Sequence, residues 1–386
     1  MSSPYAKTTW VTGDVVTQAK ANNWETQYDC VLDSGDKAPA GNWFWNTAKK
    51  FGWSDGYWER VSANVAKFWN GTTLGTVTAG TVNDSVGSMA TLRAAIAAIQ
   101  SAYPTCNGRL TLESGVPVST TDQATKGTLY FTPFRGNQIG LYDGASAWAV
   151  LAFSELSISL SGLTASKPYD VFVYNNSGTA TLELLVWTNT TTRATALTLQ
   201  DGIYVKSGAT TRRYVGTILI NASGNDCDDT LANPGVWNLY NQADRPVAFI
   251  GSGTASWVTP GGAYRSTGNN SANSINILVG LAGVSAMNLQ ASNLASLDDG
   301  NGYMGSGIGI DSSTTNSAQV TESGQGATTI AASIVTYATY NGYPALGKRQ
   351  YRWLEYGVSN SGTGTASIQM GPSNGRNMGL TGRMAR

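Results

Sequence analysis

Lys167-Pro-Tyr-Asp-Val-Phe-Val-Tyr174, Asn175-Asn-Ser-Gly178 and Thr181-Leu-Glu-Leu-Leu-Val-Trp187 follow one another near the middle of the chain. Two runs of β-branched and aromatic residues flank a short Asn/Ser/Gly segment, the pattern of antiparallel strands joined by a tight turn. Residues 169–174 carry large apolar groups on both faces, so this strand is expected to be covered on both sides, by a second sheet or by another subunit.

Upstream, Gly127-Thr-Leu-Tyr-Phe-Thr-Pro133 and Gly136-Asn-Gln-Ile-Gly-Leu-Tyr-Asp-Gly144 read as short strands at 129–131 and 138–142, punctuated by glycine turns. Downstream, strands are expected at 203–205 and 214–220. A polar connector over 221–234 leads into Val236-Trp-Asn-Leu-Tyr-Asn241 and Arg245-Pro246. The remainder is again β-like. Ile275-Asn-Ile-Leu-Val-Gly-Leu281 alternates best there, and 298–309 and 359–376 read as glycine-rich loops. No repeat of 20 to 50 residues is evident, which argues against a solenoid.

Composition agrees with sheets. Of 386 residues 45 are glycine and only 12% are charged, while 41% hydrophobic and 10% aromatic content is enough burial to offset the entropy of ordering. The formal net charge of zero leaves no electrostatic footprint for nucleic acid or an anionic membrane. Cys30, Cys106 and Cys227 are too far apart for a disulfide framework or a metal-ligand spacing and are expected to be free or structural thiols. No secretory signal is visible, and the longest apolar stretch, 277–287, is interrupted by Gly280 and Gly283 and falls short of about 20 residues needed to span a bilayer. Neither nucleic-acid binding nor membrane insertion is expected.

The first 70 residues differ from the rest, holding Trp10, Trp24, Trp43, Trp45, Trp53, Trp58 and Trp69 of the twelve tryptophans. Within them 12–28 reads as a helix with Thr12 as N-cap and Asp14 in the first turn, placing Val16, Trp24 and Tyr28 on one face. That stripe is either a local core or a docking and self-association face. A second helix is expected at 91–102, where Leu92, Ala95, Ile96 and Ile99 share a face and Pro104 stops it; 70–88 reads as a loop or small strands. A boundary near Cys106-Asn-Gly108 gives three regions: 1–107, with short helices, 108–234, a central β module, and 235–386, a C-terminal β module.

The segments at 127–133 and 236–241, with Trp187-Thr-Asn-Thr-Thr-Thr-Arg-Ala-Thr-Ala196, resemble a module of tailed-bacteriophage virion proteins over about 109–250. The likeness continues more weakly into Ala272-Asn-Ser-Ile-Asn-Ile-Leu-Val-Gly-Leu-Ala-Gly283 and Arg352-Trp-Leu-Glu-Tyr-Gly357, and 12–28 is similar to the short helix near the start of many phage appendage proteins. The resemblance implies an intertwined homotrimer on the particle surface, attached through its N-terminal region to tail, portal or capsid proteins. It implies a tail fibre engaged in host adsorption, with a head fibre or capsid decoration protein as the alternative. It brings no catalytic residue.

The absence of histidine removes Ser-His-Asp and Cys-His catalysis and histidine-containing zinc sites. No Walker-type loop is present, and no cofactor or metal is expected. The enzyme reading left is a carboxylate-based glycan hydrolase of the tailspike kind, using Asp226, Asp228 and Asp229 in Asn225-Asp-Cys-Asp-Asp229 or Asp298 and Asp299 in Asp298-Asp-Gly-Asn-Gly302. Solvated turn residues are the favoured account of both groups, then a bound Ca²⁺, for which neither has EF-hand spacing. A non-enzymatic protein is therefore expected. Receptor or glycan contacts would use exposed aromatics near polar loops: Trp257, Tyr264, Tyr303, Tyr340 and Tyr343 are the candidates, each with a core or interface ring as its alternative. Attachment candidates are Trp10, Val16, Trp24, Tyr28, Trp43 and Trp45.

Overall fold

The computed structural model describes the backbone of five strands between residues 44 and 74, and residues 105–386 apart from 252–253, 259–261, 298–301, 322, 326–332, 360–364 and 370–377; for 44–74, 254–258, 295–297, 323–325, 333, 359 and 365–369 only the backbone is described. The protein is mainly β, built of several antiparallel sheets. It divides into two compact units, Met1–Ile99 and Gln100–Arg386.

In the first unit Phe44–Trp45, Lys50–Trp53, Gly56–Ser62, Val65–Trp69 and Thr73–Leu74 form an antiparallel meander in chain order. Its register sets Phe51 opposite both Trp45 and Trp58, and Phe68 opposite both Trp58 and Leu74. Most of these strands are additions to the sequence reading, which assigned only a loop or small strands from 70 onward. The expected helices at 12–28 and 91–102 lie outside the described residues, as do Trp10, Val16, Trp24, Tyr28 and Trp43, while Trp45 closes the first strand.

The second unit is organised around the hairpin that the sequence announces. Pro168–Asn176 pairs with Thr179–Val186 through a two-residue turn in which Ser177 (φ 51°) and Gly178 (φ 93°) are both left-handed. That is the type I′ geometry whose twist suits a hairpin, and Gly178 N–H donates to Asn175 Oδ1 at 2.6 Å. Ala209–Leu219 pairs with the other edge of Pro168–Asn176, and Ile203–Lys206, Leu197–Gln200 and Val236–Asn238 complete a six-stranded sheet.

At residues 168–173 and 213–218 this sheet is buried on both faces, as the apolar pattern requires. Tyr169, Val171, Val173, Ile218 and Val236 face a central core with Leu110, Leu129, Phe131 and Ile139. Phe172, Tyr214 and Trp237 face a second core formed with the C-terminal region. That region is a sandwich. A seven-stranded sheet, including Met287–Leu297, Ser333–Gly342 and Gly379–Ala385, lies against a five-stranded one, including Ser274–Val279, Gly302–Ile310 and Gly347–Ser359.

Three segments read as loops contain strands. The 221–234 connector includes Cys227–Asp229, which pairs with Gln123–Lys126, and 359–376 includes Thr365–Gln369. Most of 298–309 belongs to Gly302–Ile310, an internal strand of its sheet. Its glycines read in sequence as turn punctuation, but Gly305, Gly307 and Gly309 alternate on one strand face. A Cβ at Gly307 would lie 2.7 Å from the Tyr264 ring and one at Gly309 2.1 Å from the Ser312 carbonyl oxygen, so glycine here admits close covering structure.

Candidate functional site

Many buried polar side chains of the second unit are engaged in its framework. At the seam between the two cores Arg193 donates to both Asp170 oxygens (2.7 and 3.1 Å), and Thr217 Oγ1 donates to the same carboxylate at 2.8 Å. The Arg193 guanidinium lies 4.5 Å from the Trp187 ring centroid and also donates to the Gly280 carbonyl of the C-terminal region. Burial nonetheless pushes the Asp170 carboxyl above its ordinary range, against the pull of Arg193. Asn238 bonds the Leu110 backbone in both directions, Asn241, left-handed at φ 53°, donates to the Cys106 and Gly108 carbonyls, and the Trp237 indole N–H donates to Ser285 at 2.9 Å. The segments 187–196 and 236–241 thus supply internal joints.

The acidic segment 225–229 is divided among different tasks. Asp226 accepts from Ser223 at 3.0 Å and Asp228 from the Thr125 N–H at 2.7 Å. Asp229 departs from the expectation of a solvated turn residue. It is buried, pairs with Arg386 and has Arg245 at 3.8 Å, because its neighbour Cys227 anchors the strand in the central core and turns Asp229 inward. Beside this cluster, burial and the nearby Arg386 and Arg245 lower the Arg109 guanidinium to about 10. Asp298 and Asp299 lie outside the described residues. Among the described residues no three Asp, Glu or Cys side chains converge as metal ligands, and Cys106 and Cys227 are free, buried thiols whose ionisation burial pushes up. Also among them, no helix is long and apolar enough to cross a membrane.

In the C-terminal sandwich Glu355 is fully buried, accepts from Arg265 Nε at 2.6 Å and from the Gly268 N–H at 2.9 Å, and is pushed by burial up to about 7. Between the two sheets Asn293 donates to Ser306, which bonds Thr336. Sequence reasoning singled out neither group nor the Asp170–Arg193 pair; the available signal was a lone polar residue inside an apolar strand pattern.

Four of the five receptor-contact candidates separate by burial. Tyr264 is half-buried with its ring centroid 5.1 Å from that of Tyr356, and Tyr340 is half-buried against Tyr351 at 5.6 Å, so both serve packing. Tyr303 and Tyr343 are 44% and 62% exposed. Trp257 lies on Thr254–Val258, opposite Ala366 in the backbone register. The structure adds Tyr337, exposed on the outer face of the seven-stranded sheet with Asn288, Gln290, Asn341, Thr381 and Arg383. That face is almost uncharged and rich in amides and hydroxyls, the groups that exchange hydrogen bonds with sugars or with another polar surface.

No protein-family model and no curated protein matches the sequence. Among solved structures, the insecticidal delta-endotoxin Cry8Ea1 of Bacillus thuringiensis aligns at 7% identity over 80% of this chain, which spans 58% of the toxin's length, with a TM-score of 0.18. A structure of infectious bursal disease virus, Gx strain, aligns at 11% identity over 72% of this chain and 74% of its own, TM-score 0.20. BuGH86wt in complex with neoagarooctaose aligns at 11% identity over 67% of this chain and 32% of its own, TM-score 0.16. At such scores these likenesses carry no argument about fold or function.

Proposed function

We propose that the chain is a structural protein of a tailed-phage virion, a homotrimeric tail fibre that recognises the host surface. Its N-terminal region joins other virion proteins and its C-terminal sandwich faces the medium. The observation that carries this reading is the resemblance of the segments around 127–133, 187–196 and 236–241 to phage virion proteins. Two further features support it. Arg193, Asn238 and Asn241 of those segments are spent on internal joints, and the exposed rings of Tyr303, Tyr337 and Tyr343 lie in the C-terminal region. Exposed aromatic rings with amide and hydroxyl neighbours suit contact with a surface glycan or protein.

Labelled antibody against the chain, imaged on intact particles, should mark the tail tip. Marking of the head would instead establish a head fibre or decoration protein, and unlabelled particles would remove the virion assignment. Sedimentation should give a trimer, and a stable monomer removes that part. Release of reducing sugar from host polysaccharide, lost on Asp228→Asn, would establish the tailspike reading.

A further inference from the structure

Where the central core meets the C-terminal sandwich there is a cleft of about 220 Å³, lined by Ser166, Leu219, Ile220 and Asn221 on one side and by Asp228, Asn233, Asn276 and Lys348 on the others. Its polar groups come from segments far apart in sequence, and each segment is tied down. Ser166 N–H donates to the Asn221 carbonyl, Asn276 N–H to that of Ala232 and Lys348 N–H to that of Thr190, at 2.8–3.0 Å. Gly235 N–H donates to the Asp228 carbonyl at 2.9 Å, and a Cβ on Gly235 would lie 2.2 Å from that oxygen. The cleft is therefore preformed at a junction between modules, where small-molecule sites concentrate.

Its charges are arranged unusually. Asp228 uses Oδ1 to accept from Thr125, Asn233 and Asn276 bond each other at 2.7 Å, and Asp228 and Lys348 line the same small volume without forming an ion pair. Among the described residues, Asp228 Oδ2 and Lys348 Nζ have no hydrogen-bond partner. A carboxylate disfavours an anion in this space and an ammonium disfavours a cation, so the fitting occupant is neutral and able both to donate and to accept. Adjacent hydroxyls of a sugar meet this requirement: one donates to Asp228, its neighbour accepts from Lys348, and the ring lies against the half-buried Leu219. The volume is below the roughly 300–1,000 Å³ of pockets for drug-sized ligands and suits one ring. We infer that this cleft binds a single neutral pyranose unit, an inference that rests on the adhesive role proposed above and supplies the chemistry of its ligand.

The test is ligand-observed NMR on the full chain with methyl glucoside, methyl galactoside and methyl mannoside, and with glycine as a zwitterionic control. At least one glycoside should receive saturation with a dissociation constant on the order of 1 mM. Asp228→Asn, which keeps the acceptor for Thr125, and Lys348→Met, which keeps the aliphatic stem, should each weaken it about tenfold or more with the melting temperature unchanged. Silence from all three glycosides, binding of glycine alone, or glycoside binding indifferent to both substitutions overturns the cleft. Host-cell adsorption separates this from the broader reading: adsorption unaffected by both variants, with no glycoside bound, removes the cleft and leaves adhesion standing. Glycoside binding lost in the variants by a chain that never adsorbs keeps the cleft and removes the adhesion.

Discussion

The two cores on either side of the six-stranded sheet are closed in different ways. The central core is bounded by several small sheets whose edges are joined by Asn238, Asn241 and Asp229, and its large apolar residues are mostly covered. The C-terminal core lies between two broad sheets and contains Glu355 and the Asn293–Ser306–Thr336 contacts, while Ile250, Tyr303, Val320, Tyr337 and Tyr343 remain exposed on its outside. On the central side only Leu199 and Leu231 of the large apolar residues are exposed among the described residues, whereas the C-terminal side keeps more apolar groups turned outward. On the proposed role, a scaffold and a contact module are expected to differ in this way.

The contrast breaks most severely at the residues that belong to both. Trp237 is provided by a strand of the middle sheet but fills the C-terminal core, so Trp237→Ala should cost about 4 kcal/mol. In guanidinium both regions should then unfold at a lower, shared midpoint. A central-region probe that keeps its wild-type midpoint would show the cores to be independent. Gly280→Ala attacks the same seam by overfilling it, since the new Cβ would stand 2.2 Å from Tyr214 Oη and 2.5 Å from Trp237. A loss of about 3 kcal/mol is expected, and a neutral result would mean that the seam yields.

Glu355 sharpens the comparison through pH. Its folded-state value of about 7 lies above that of an unfolded glutamate, so its contribution is fully present below about pH 4 and is lost as pH rises through 7. Wild-type stability measured relative to Glu355→Gln should therefore fall by about 3 kcal/mol between pH 4 and pH 8. A constant difference across that range would show that Arg265 offsets the burial. At the smallest scale, Tyr343→Ser should move stability by less than about 0.5 kcal/mol. If the proposed adhesive role holds, the same substitution should reduce attachment to host cells, and unchanged attachment would take Tyr343 out of the proposed contact surface.

The hairpin was legible because three local signals agree: alternating apolar residues, a turn sequence that tolerates positive φ, and an apolar pattern on both strand faces. What covers those faces was not legible. Phe172 and Val171 are adjacent in sequence yet enter different cores, and Asp170 finds Arg193 only after the chain has turned back. The Gly302–Ile310 strand reads as a loop in sequence because glycine marks both a turn and a place where structure packs directly on a sheet; local sequence does not distinguish them. Tyr337 inverts the ordinary pattern, lying outside while Thr336 is buried by its bond to Ser306. Of the cleft, only the acidic segment was visible in advance, since Lys348 reaches it from a distant strand.

The middle sheet also has a consequence for the order in which the molecule is made. Its strands from 168 to 219 leave the ribosome well before 275–384, which cover the face carrying Phe172 and Tyr214. Nascent chains therefore pass through an interval in which the central core can close while an aromatic sheet face stands bare. A fragment ending at residue 250 should bind a hydrophobic dye strongly and self-associate, in contrast to the whole chain. If it stays monomeric and dark, the central region shields that face by itself.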